Sequence, residues 1–138
     1  MIMKIAIRYY TKTGNTEKLA KVIEEVTKVE AKKVDVKLEE DVDILFLGAS
    51  IYAAGIDDEV KKFISGIDVK VKKVVLFSTA AMLGSPYKKV EKLLGKKEII
   101  MDPRHFHCKG KFLNTLKDRP NEEDLNKLRE MVKDIVEE

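Results

Sequence analysis

Short apolar runs alternate along the chain with segments whose apolar residues recur at helical spacing. The runs at 3–9, 33–37, 43–49, 73–78 and 98–101 predict five strands. Between them Leu19, Val22, Ile23 and Val26, then Val60, Phe63, Ile64 and Ile67, each form one stripe of a helix that must face a sheet. A third helix is predicted from Ser85, with Pro86 in its first turn, where the missing donor costs nothing. The last helix has the clearest signals. Asn121 follows Pro120 as a cap, Glu122, Glu123 and Asp124 complement the positive helix end, and Leu125, Leu128, Val132, Ile135 and Val136 form the buried stripe. Such alternation is the mark of βα units around a parallel sheet, an α/β fold. One connection fits poorly. Residues 38–42 are too few for the dozen or more that a parallel crossover usually takes, so either this link is unusually tight or the second strand lies elsewhere.

A length of 138 residues argues for one domain, 1–138, with a single core burying about two-thirds of the unfolded surface. Lys and Arg number 27 against 24 Asp and Glu, so the net charge of +3 is a small surplus rather than a polycation built for nucleic acid. Apolar residues in periodic blocks exclude disorder. The single cysteine, Cys108, suits a reducing cytoplasm. Residues 1–7 lack the separate regions of a signal peptide, so a cytoplasmic location is expected. The longest uncharged stretches, 44–56 and 74–87, fall short of the ~18 residues of a membrane span, and none is expected.

The segment that carries chemistry lies between the first strand and the first helix and reads Thr11-Lys12-Thr13-Gly14-Asn15-Thr16. A helix start offers unpaired backbone N–H groups and about half a positive charge, enough to hold a phosphate without a basic side chain. Three threonines and an asparagine add neutral donors, and Gly14 lets the backbone fold tightly around an anion. The segment is neither a Walker loop, since Gly-Lys-Ser/Thr is missing, nor a dinucleotide fingerprint, since it has one glycine. The plainer alternative is that Thr13 or Asn15 only caps the helix. Its place at the carboxyl end of a strand, where open α/β sheets bind ligands, favours the anion. Glu17 weighs against it, because its charge would repel a phosphate if it turned inward.

Arg8-Tyr9-Tyr10 followed by 11–16 resembles the FMN-phosphate loop of flavodoxins, whose pattern is Ser/Thr, any residue, Thr, Gly, Asn, Thr; all six positions match. The resemblance implies a flavodoxin-like three-layer sandwich, a five-stranded parallel sheet of order 2-1-3-4-5, noncovalent FMN and electron transfer. Cys108-Lys109-Gly110-Lys111, with Pro120-Asn121-Glu122-Glu123-Asp124-Leu125 downstream, is similar to a short-chain flavodoxin-like subfamily, so the matches touch both ends of the chain.

If the strand order reverses between strands one and three, the loop of Ser50, Ile51, Tyr52, Ala53, Ala54 and Gly55 faces 11–16 across one crevice. Tyr52 stacked on the isoalloxazine would disfavour a reduced, negatively charged flavin; a Tyr wedged against the next helix is the alternative. The family commonly reads Gly, two variable residues, an apolar residue, Tyr, Ala, Gly here. The resemblance assigns this loop a backbone carbonyl that turns toward flavin N5 when the flavin takes up a proton with its first electron. Here Ala54 stands at the last glycine's position and Gly55 follows, so either the radical state is less favoured or Gly55 takes over. Thr79, Ala80, Ala81 and Met82 are small or adaptable residues at the same edge, open to contact with a flat heterocycle, with core filling the alternative for Met82. Tyr87 is expected to pack on its helix face. From Arg104 to Lys111 the basic residues suit either an acidic redox partner or a solvated face. His105, His107 and Cys108 lack a fourth ligand, so no metal is expected, and Cys108 is read as a small packed residue.

Three functions compete. The first is a low-molecular-weight electron carrier between redox proteins, a monomer or weak homodimer with an exposed flavin edge. Flavodoxin carriers are usually acidic, whereas a pI near 8.8 points to a different kind of partner. The second is an FMN-dependent NAD(P)H oxidoreductase acting on a quinone or tetrapyrrole, which would need a dimer to build a pocket. The third is a non-flavin module that holds another phosphate ligand in the same loop. No aromatic-basic stripe supports nucleic acid.

Overall fold

The computed structural model describes residues 3–12, 14–52, 55–79, 85–108 and 120–137, with backbone alone for 50–52. In chain order these form β1 (Ile5–Tyr9), α1 (Asn15–Thr27), β2 (Ala31–Lys33), β3 (Val42–Tyr52), β4 (Gly55–Ile56), α2 (Asp58–Ser65), β5 (Val71–Thr79), α3 (Tyr87–Gly95), β6 (Phe106–Cys108) and α4 (Glu122–Val136). Five strands pair in parallel in the order β2-β1-β3-β5-β6, and the short β4 folds back antiparallel on β3. With β4 set aside, this is the 2-1-3-4-5 sheet that the resemblance implied.

Central strands buried on both faces read as continuous apolar runs, and β3 and β5 show why. Leu45, Leu47 and Ala49 of β3, with Val74 and Leu76 of β5, pack beneath α2 and α3 against Val60, Phe63, Ile64, Val90 and Leu94. Ile44, Phe46, Val75 and Phe77 point the other way, onto Leu19, Val22 and Ile23 of α1 and Leu128, Val132 and Ile135 of α4. The helices are closed as their sequences suggest: Asp57 accepts from the Glu59 N–H at the start of α2, and Asn121 and Asp124 form a reciprocal capping box on α4. No helix among the described residues is long and apolar enough to cross a membrane.

Two expected strands are corrected. The second lies at 31–33 rather than 33–37, which settles the poor connection in favour of a misplaced strand. Beyond Lys33 the chain turns, and Arg8 holds it by donating from Nε to the Val36 carbonyl at 2.7 Å. Val34 and Leu38 are buried from this crossing segment, not from a strand; β1 presents only Ala6 and Arg8 on that side, so a helix-free link fits directly over it. The expected last strand at 98–101 shrinks to a single bridge between Val74 and Met101, and the edge strand forms instead at 106–108. The interruption is chemical. Buried Asp102 gathers Arg104 through its N–H, Nε and Nη2 and Lys73 at 3.1 Å, while Pro103 offers no ladder donor.

Candidate functional site

The carboxyl ends of β1, β3 and β5 share one rim of the sheet, and the strand order reverses between β1 and β3. Gly14 opens α1 with φ of 89°, the left-handed region in which a residue with a Cβ is strained. Among the described residues no atom beyond its chain neighbours lies within 4 Å of where a Gly14 Cβ would stand. The Gly14 N–H donates to Thr11 Oγ1 at 2.8 Å, folding 11–14 back on itself. Thr16 is buried, with its Oγ1 3.2 Å from Thr79 Oγ1, which fastens α1 to the end of β5; Asn15 beside it is buried too.

Two charges near the head of α1 are directed elsewhere. Glu17, the residue that argued against an anion, accepts a 3.0 Å hydrogen bond from the Tyr9 hydroxyl. Burial, reinforced by Glu17, pushes the Tyr9 phenol up to about 12. The Lys12 ammonium lies 3.6 Å from Asp57, the cap of α2, and so ties the loop to the next helix. The result is a cradle of peptide and hydroxyl groups at the positive end of a helix, which suits the phosphate of a cofactor. Thr13 lies outside the described residues.

Across the rim, β3 runs through Ser50, Ile51 and Tyr52 and turns back, pairing Ile51 with Ile56 and Tyr52 with Gly55. Gly55 has φ of 101°, so its backbone calls for a glycine. Ala53 and Ala54 lie outside the described residues, as do Ala80, Ala81 and Met82 beyond Thr79. Gly48 is needed for a different reason: a Cβ there would meet the Phe77 ring at 2.6 Å and Tyr9 Cβ at 2.8 Å. The strands close tightly just below the point where the loops diverge.

At the third corner, buried Ser78 shares a 2.7 Å hydrogen bond between its Oγ and His107 Nδ1, and Thr79 lies in register with buried Cys108. His105 instead packs its ring on Tyr87, centroids 4.5 Å apart, and the Tyr87 hydroxyl donates to the Asp102 carbonyl. His105 and His107 therefore serve different neighbours. Arg104 is tied to Asp102, whose carboxyl it holds well below the usual carboxylate range; Lys73 adds to this and burial opposes it. Lys109 and Lys111 lie outside the described residues. The Ser78–His107 and Thr16–Thr79 contacts escaped the sequence reading because the partners stand 29 and 63 positions apart and meet only through the fold.

A family model described as a flavodoxin domain matches residues 6–137. An uncharacterised protein of Methanocaldococcus jannaschii is 33% identical over 138 residues, covering 88% of this chain and 90% of its own. A flavodoxin of Clostridium saccharobutylicum is 39% identical over 90 residues, 56% of each chain. Among solved structures, a flavodoxin from the domain Archaea superposes with a TM-score of 0.79 at 19% identity, over 98% of this chain and 97% of that one.

Proposed function

The chain belongs to the flavodoxin domain family, and on that premise we propose that it binds FMN noncovalently and carries electrons between redox proteins. The observation that carries this reading is the left-handed Gly14 turn at the head of α1, at the reversal of strand order and on the same rim as the β3–β4 hairpin. Thr11, Lys12, Thr13, Gly14, Asn15 and Thr16 hold the phosphate. The 50–55 hairpin and 79–82 flank the ring, with Tyr52 as the stacking surface. When bound, the flavin supplies the electron exchange. The chain's own work is to orient it: the Thr11 hydroxyl keeps the loop folded, Thr16 locks helix to strand, and Gly55 leaves the hairpin backbone free to turn a peptide group.

One absorbance titration tests this. FMN added to the purified protein is expected to give a bound flavin spectrum, with riboflavin held far more weakly. A protein that takes up no FMN overturns the cofactor assignment, and steady NADPH turnover with a quinone overturns the carrier assignment in favour of a reductase.

A further inference from the structure

A groove of about 250 Å³ runs between α2 and α3, floored by Gly55 and Leu93 and walled by Lys61, Lys89, Lys92 and Lys96. Lys89, Lys92 and Lys96 recur at helical spacing along one side of α3 and its cap, and all four lysines are exposed. Lys61 has a carboxylate nearby, Asp58 at 3.9 Å across an exposed helix turn. Lys89, Lys92 and Lys96 have none within ion-pair range among the described residues. Some lysines elsewhere are paired, as Lys37 with Asp68, Lys62 with Glu59 and Lys72 with Asp43, and others such as Lys21, Lys28 and Lys133 have no carboxylate in range among the described residues either; what sets the groove apart is that four ammonium-bearing side chains line one hollow.

The groove also begins at the candidate flavin rim, for Lys89 Nζ stands 3.4 Å from where a Gly55 Cβ would sit. We propose that this groove docks the acidic face of a redox partner protein and so sets that partner beside the β3–β4 hairpin. The proposal rests on the flavin reading for its purpose and on the lysines for its chemistry. Four ammonium groups on long, solvated stems repel one another, and a carboxylate-rich surface relieves that repulsion while Leu93 gives an apolar contact. Complementary fields of this kind raise association rates about 10-fold or more at low salt, and salt erases the gain.

The test uses an acidic [2Fe–2S] protein of low molecular weight as probe, with binding followed by calorimetry at low and high salt and electron transfer from the reduced FMN-loaded protein by stopped flow. The K61Q/K89Q/K92Q/K96Q variant is expected to weaken binding about 10-fold or more at low salt, to flatten the salt dependence and to slow transfer. A variant with the same charge change on α1 and α4 and the α1 cap (K21Q/K28Q/K127Q/K133Q) should stay near the parent, and both should keep FMN affinity. Equal losses in the two variants would reduce the effect to net charge and overturn the docking site. Failure of the probe to bind while inorganic pyrophosphate binds the groove would overturn it too, in favour of a small-anion site. Because calorimetry needs no flavin, groove-dependent probe binding by a protein that takes up no FMN would sink the cofactor reading and leave the docking surface standing.

Discussion

Replacing Gly14 by alanine separates backbone strain from crowding, because the structure supplies one and removes the other. Among the described residues no atom beyond the chain neighbours lies within 4 Å of the new methyl group, so crowding adds nothing there. The φ of 89° is another matter, since a Cβ in the left-handed region costs about 1–2 kcal/mol. The smaller entropy of the unfolded alanine chain returns roughly 0.4–1 kcal/mol, leaving a net loss of about 1 kcal/mol. For 138 residues the unfolding entropy is about 0.29 kcal/mol/K, so the melting temperature of the apoprotein should fall by about 3–4 °C. Gly14→Asn, whose side chain tolerates this region better, should fall between alanine and the parent. Urea unfolding of the three apoproteins gives the order, and FMN titration of the same samples shows whether the strain also reaches the phosphate. An alanine variant as stable as the parent would refute the reasoning, because it would mean the loop does not use the left-handed turn on which the cradle depends.

Gly48→Ala has ordinary backbone but no space, with Tyr9 Cβ fixed to its own strand at 2.8 Å. It should lose about 2–3 kcal/mol in denaturant unfolding, several times a surface Gly→Ala change. Thr13→Val combined with Thr16→Val should weaken FMN by about 10-fold or more while changing riboflavin little, since hydrogen bonds to a charged group contribute about 1.5–3 kcal/mol; equal losses for both ligands would place the phosphate elsewhere. Thr16→Val alone should also cost about 1 kcal/mol of stability through its contact with Thr79. Tyr9 titrates higher folded than unfolded, so its contribution is fully present below pH 10 and is lost as pH rises toward about 12. Phenolate absorbance should follow this titration, and Glu17→Gln should move the midpoint down while burial keeps it above the ordinary value.

The glycine turn and the start of α1 were legible because their signals are contiguous: Gly14 and the neighbouring hydroxyl and amide residues stand together where the first strand gives way to a helix. The stripes of α1, α2 and α4 were legible because one periodicity serves one buried face. The second strand was not, because Val34 and Val36 mimic strand alternation in a segment whose path is set by Arg8, more than two dozen positions earlier. The last strand slipped for a similar reason, since the ionic contacts of Asp102 override the apolar 99–101 run that precedes it. Register and helix pairing likewise created what no local motif announced, the Ser78–His107 bond and the four-lysine groove.

The bare crossing over β1 gives the two faces of the sheet unequal reserves. One face is shut by two long helices whose own backbone bonds must break before it opens. On the other, α2 and α3 cover β3 and β5, while residues 34–41 lie over β1 without a helix, held by buried Val34 and Leu38, the Arg8 guanidinium, the Val34 N–H on the Tyr9 carbonyl and exposed ion pairs of Lys37 with Asp68 and Lys4 with Glu40. This flap should breathe first, and amide exchange should register the Val34 and Val36 N–H groups opening before the α1 and α4 amides exchange. A chaperone or protease sampling the native ensemble would find its way in there.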